Sequence, residues 1–62
     1  MFAQFGRLQM ILVVDDDPMV RGTISRALAE LGYAVAEAAD GRQALEAVND
    51  DRIDLVILDY VM

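Results

Sequence analysis

Cysteine, histidine, lysine and tryptophan are all absent from this 62-residue chain. Without Cys or His there is no disulfide, no thiolate or imidazole zinc site, no Cys nucleophile and no imidazole acid-base chemistry. Basic charge is scarce as well. Five Arg stand against eleven acidic residues, a net charge of −6, and Arg7, Arg21, Arg26, Arg42 and Arg52 are scattered along the chain. That balance argues against gripping a phosphate backbone, so nucleic acid is not an expected partner. The longest unbroken apolar run, Met10 to Val14, is far below a membrane span or signal-peptide core, so the chain is expected to be cytoplasmic with no membrane partner. Its four Gly form neither G-x-G-x-x-G nor a Walker pattern, which removes support for a nucleotide site.

What the chain does have is apolar mass: 56% of its residues are hydrophobic, too many for disorder and too few in total for more than one domain. A domain of this size buries only about 60% of the surface its unfolded chain exposes, so outside help is expected, from oligomerisation or a hard cation.

Residues Met1 to Gln9 carry no clear period and read as a leader. Met10–Val14 is a continuous β-branched apolar run followed at once by acid, the pattern of a parallel strand buried on both faces. Asp17-Pro18 gives a helix start, with a capping carboxylate and a Pro where its missing donor costs nothing. The helix runs to Leu31, with Val20, Ile24, Ala27, Leu28 and Leu31 as its apolar stripe and Arg21, Ser25 and Glu30 opposite; Gly32 stops it. Tyr33–Ala39 reads as a second strand, Asp40 as the cap of a short helix over Arg42–Asn49 with Ala44, Leu45 and Val48 inward, and Asp54–Asp59 as a third strand ending in a carboxylate. Gly22, inside the first helix, is open to explanation by close packing at a dimer contact.

A β-α-β-α-β order calls for an α/β parallel sheet with right-handed crossovers, in which ligands sit beyond the carboxyl ends of the strands. Asp15, Asp16 and Asp59 fall at that edge. Alone, Asp15 to Asp17 reads as a solvated acidic turn; a second buried strand ending in Asp changes the reading. Three crowded carboxylates repel, so either some hold protons or a hard cation compensates them, and Mg²⁺ suits oxygen ligands while leaving room for a phosphoryl oxygen. A carboxylate with a free oxygen is then a nucleophile of the aspartyl-phosphate kind. Asp17 and Asp40 are explained as helix caps, Asp50, Asp51 and Asp54 as loop charges, and Tyr60 as packing.

At these residues the chain resembles the receiver domain of bacterial two-component response regulators. Leu12-Val-Val-Asp15-Asp16-Asp17-Pro18 is similar to that family's first strand and acidic pair, Leu31-Gly32-Tyr33 and Ala39-Asp40-Gly41 to its helix stop and second-helix entry, and Leu55-Val-Ile-Leu-Asp59-Tyr-Val-Met62 to its phospho-acceptor strand. The resemblance covers 10–62. It implies a flavodoxin-like sheet of order 2-1-3, Asp59 as acceptor of a phosphoryl group from a histidine kinase, and a Mg²⁺ set of Asp15, Asp16, Asp59 and the backbone carbonyl of Val61. The family's later Thr or Ser and Lys have no counterpart in this chain, so phosphotransfer is expected to be weakened and the usual switch lost.

The resemblance also implies that the third strand, Leu55 to Leu58, is an uncovered apolar edge and that the apolar faces of both helices lack neighbours, for which a homodimer by edge pairing or domain swapping through that strand and the helix faces is the expected cover. The alternative function is a non-phosphorylatable half-receiver acting as a dimerisation or interaction module, or an excised fragment. A haloacid-dehalogenase-type enzyme, suggested by Asp15-x-Asp17, is disfavoured by Pro18, Met19 and the shortness of the chain. No enzyme activity is expected beyond self-phosphorylation on Asp from a phosphodonor.

Overall fold

The computed structural model describes residues 10–58. The 1–9 leader, Asp59, Tyr60, Val61 and Met62 lie outside the described residues. The element order is β1 (Met10–Val14), α1 (Pro18–Glu30), β2 (Val35–Ala38), α2 (Gly41–Ala47) and β3 (Ile53–Leu58). All strand pairs are parallel, and the sheet order is β2-β1-β3. Position in that order sets burial. β1 has a hydrogen-bonded neighbour on each side, and Ile11, Leu12, Val13 and Val14 are buried.

The register places Ile11 beside Val35 and Leu55, and Val13 beside Glu37 and Ile57. Side chains alternate across a strand, so these residues share one sheet face and Leu12, Val14, Ala36, Ala38, Val56 and Leu58 share the other. On the second face Leu12, Val14 and Ala38 form the core, with Ala44 and Ala47 of α2 packed against it. Both helices pack over β1 and β2.

The helix ends follow their local chemistry. Asp17 Oδ1 accepts the amides of Met19 (2.9 Å) and Val20 (3.4 Å), and Pro18 opens the helix. At the far end Gly32 sits at φ +99°, where a side chain would strain the backbone. The Gly32 amide donates to Ala29 O (3.0 Å) and the Tyr33 amide to Leu28 O (3.1 Å), completing a Schellman stop.

Element bounds shift by one or two residues: α1 ends at Glu30 with Leu31 as its cap, β2 is 35–38, α2 is 41–47 and β3 is 53–58. The faces of the helices differ from the periodicity more substantially. In α1 the buried residue is Ser25, while Val20 and Leu31, expected inward, are 38% and 73% exposed. In α2 Ala44 and Ala47 pack on the core, and Leu45 and Val48 stay exposed. Nothing lies within 4 Å of a Cβ built on Gly22, so packing among the described residues does not account for that glycine.

Candidate functional site

The carboxyl ends of parallel strands share one edge, and here that edge is acidic. An open depression of about 410 Å³ lies there, walled by Val14 and Leu58 at the ends of β1 and β3, by Asp15 and Asp16, and by Ala39, Asp40 and Gly41 after β2. Among the described residues its side chains include three carboxylates and no cation.

Asp15 is only 5% exposed. Its amide donates to Ala38 O at 3.2 Å, tying it to β2, and its Oδ1 accepts the Asp17 amide at 2.9 Å. Among the described residues the carboxylate has no ion-pair partner and its second oxygen receives no hydrogen bond. Asp16 is exposed, and neither its backbone nor its side chain makes a hydrogen bond among the described residues. Asp40 is spoken for: it caps α2 by accepting the Gln43 amide (2.8 Å), while Gln43 Oε1 accepts the Ala39 amide (2.8 Å). That exchange stiffens the wall of the depression opposite Asp15.

The donor set suits a hard cation. Among the described residues no three carboxylates come together as a metal cage, but Mg²⁺ is held by one or two carboxylates, with water completing its shell. A buried carboxylate with an unbonded oxygen beside an exposed second carboxylate fits that requirement, since an unpaired buried charge is costly without compensation.

The sequence pattern of the response regulator receiver domain matches residues 11–62. The chain belongs to the response regulator receiver family. It is similar to response regulator MprA of Mycolicibacterium vanbaalenii, 52% identical over 52 residues, which is 84% of this chain and 22% of that protein. MprA of Mycobacterium ulcerans is 50% identical over the same share of both chains, and MprA of Mycobacterium tuberculosis is 48% identical over 84% of this chain and 23% of its own length. The chain thus spans less than a quarter of these curated relatives. No solved structure matches it.

As a receiver, the chain places its acidic pair where the strand grammar puts it: Asp15 and Asp16 share a rim with Leu58. The next residue, Asp59, and Val61 lie outside the described residues. Asp40 and Gly41, read from sequence as a helix entry alone, also line the depression. The sign of this was available, because every turn after a strand of a parallel sheet reaches the same edge. Arg21 was missed altogether. It reads as surface, yet its side chain is only 19% exposed and it bonds to the Asp15 carbonyl (2.8 Å) and to Glu37 (2.9 Å). Among the described residues no helix is long and apolar enough to cross a membrane.

Proposed function

We propose that this receiver serves two-component phosphorelay signalling, with Asp59 as phospho-acceptor and Mg²⁺ held by Asp15, Asp16, Asp59 and the Val61 backbone carbonyl. The observation that carries the reading is the acid-lined depression of about 410 Å³ at the carboxyl ends of β1 and β3, holding the buried Asp15. A carboxylate oxygen of Asp59 attacks the phosphorus of a histidine kinase's phosphohistidine. The P–N bond breaks, its electron pair stays on the imidazole nitrogen, and an acyl phosphate forms on Asp59. Bound Mg²⁺ supplies charge neutralisation for the oxygens of the transferring group. Asp15 and Asp16 orient that charge, and the capped entry of α2 limits the opening. The chain acts in the cytoplasm, and its own chemistry is limited to accepting the phosphoryl group.

Two features bear on efficiency. The chain contains no Lys, and its hydroxyls in α1 do not line the depression: Thr23 Oγ1 donates to Met19 O (2.9 Å) and Ser25 is buried within the fold. Neither therefore serves the phosphoryl group, and this 62-residue chain is expected to be a slow acceptor.

A second reading, a dimerising or interaction module, is favoured by β3. Leu55 is 44% exposed on one face of the strand and Val56 and Leu58 are 43% and 62% exposed on the other. A second copy paired along β3 would cover them.

The readings separate in one experiment. Amide NMR of the chain is followed through Mg²⁺ and then beryllofluoride addition, with Asp59→Asn in parallel. Saturable shifts at Asp15 and Asp16, with the beryllofluoride response lost in the variant, are expected for an acceptor. A folded chain silent to both additions leaves only the interaction module.

A further inference from the structure

Of the two carboxylates at the rim, Asp16 is the less anchored: among the described residues it makes no hydrogen bond of its own, whereas Asp15 is held through its amide and through Oδ1. What orients Asp16 is the peptide that joins it to Asp15. That peptide's carbonyl, Asp15 O, accepts from Arg21 Nη1 at 2.8 Å. A peptide is planar, so fixing its oxygen also fixes the amide and α-carbon of the following residue. The guanidinium is itself aimed from the other side, because Arg21 Nε donates to Glu37 Oε1 at 2.9 Å from β2. A planar fork can serve two acceptors at a set angle, which an ammonium on a flexible stem does not.

We propose that Arg21 is a positioning residue for the acidic pair: it clamps the Asp15–Asp16 peptide and so sets the angle at which the two carboxylates meet a divalent cation. The proposal rests on the reading of Asp15 and Asp16 as Mg²⁺ ligands. It predicts a sign opposite to that of simple electrostatics. Deleting a positive charge beside two carboxylates would, by Coulomb attraction alone, tighten cation binding. Deleting a clamp loosens it, and partners that orient metal ligands typically contribute about 10- to 100-fold in affinity. Glu37 is substantially exposed, so the Arg21–Glu37 pair does little for stability and its value lies in direction.

The test is a Mg²⁺ titration of the whole chain, read from the Asp15 and Asp16 amide signals, for the parent, Arg21→Met and Arg21→Lys, with spectral dispersion reporting folding. Arg21→Met keeps the aliphatic stem and is expected to bind at least about tenfold more weakly while folded; Arg21→Lys, which keeps the charge but not the fork, is expected to fall between it and the parent. If the parent saturates and Arg21→Met binds equally or more tightly, the clamp is wrong while the metal site stands. If the parent shows no saturable shift, the site reading fails and takes the clamp with it, a result visible without any variant. If Arg21→Met does not fold, Arg21→Lys decides, and parental affinity there overturns the proposal.

Discussion

Strands β1 and β3 are written in nearly the same letters, MILVV and IDLVIL, and meet opposite fates. Ile11, Leu12 and Val13 of β1 are at most 2% exposed, whereas Leu55, Val56 and Leu58 of β3 range from 43% to 62%. Each strand is parallel and each leads to the acidic edge. The difference is position: among the described residues β1 has a strand on both sides and a helix on each face, and β3 has β1 alone beside it. An apolar run therefore states a demand for cover. It does not say which neighbour meets the demand, and for β3 none of the described residues does so fully.

The sharpest way to break this comparison is to shorten one side chain in each strand. Leu12→Ala is expected to cost about 2–5 kcal/mol, a large share of the roughly 3–9 kcal/mol available to a domain of this size. Leu55→Ala in dilute protein is expected to cost about 1 kcal/mol or less, being half solvated already. Urea unfolding of the two variants checks this, and equal losses would remove the distinction. Next in size is association. Val56→Lys puts a charge on the exposed strand and is expected to weaken self-association by at least about tenfold, with the fold retained. Sedimentation velocity over a concentration series measures it, and unchanged association would move the partner surface away from β3.

Much of this architecture was legible because it is encoded locally. Asp17-Pro18, Gly32 and Asp40 each meet a backbone requirement within a few residues of themselves, and each behaves in the structure as the chain position demands. The parallel arrangement followed from the two crossovers, whereas the order β2-β1-β3 was implied by the family resemblance. The inward faces of the helices did not, because periodicity finds an apolar stripe without naming what it packs on. In α1 the sheet beneath is narrow, and Arg21 has two acceptors at its edge, so the helix turns Arg21 and Ser25 inward and leaves Val20 and Leu31 outside. At the site, Asp15 and Asp16 were legible from the strand that ends before them. Arg21 was not, since its acceptors are a carbonyl and a residue 16 positions away.

That rotated helix supplies a smaller test of how well β1 is covered. Ser25 Oγ is buried with no hydrogen-bond partner among the described residues. Replacing it by Ala removes an unsatisfied hydroxyl and improves helix propensity, so Ser25→Ala is expected to stabilise the fold by about 1 kcal/mol. A loss of stability in urea unfolding would mean the hydroxyl has a partner.

The smallest effect concerns the turn that feeds β3. Asp50 accepts from the Arg52 side chain (2.8 Å) and from its amide (2.9 Å), and these bonds hold its carboxyl down from 3.8 to about 2. A carboxylate with a lowered folded pKa adds stability that is present above its unfolded value and is lost as pH falls through the folded one. Between pH 3.8 and about 2 the β3 turn is therefore expected to loosen as Asp50 takes up its proton. Arg52→Ala removes the side-chain bonds and keeps the amide bond, so the carboxyl is expected to titrate above about 2 but still below 3.8, as carbon-detected NMR of Asp50 would read directly. A midpoint still near 2 would assign the shift to something other than the Arg52 side chain.

The central claim is that the acidic edge where β1 and β3 end takes a phosphoryl group on Asp59. Its most direct test treats the chain with a small acyl-phosphate donor and Mg²⁺, traps acyl phosphate by borohydride reduction and maps the reduced residue by mass spectrometry. Reduction at Asp59, dependent on Mg²⁺ and diminished in Asp16→Asn, is the predicted result. A folded chain that yields no reduced Asp59, or that is reduced at another carboxylate instead, would contradict it.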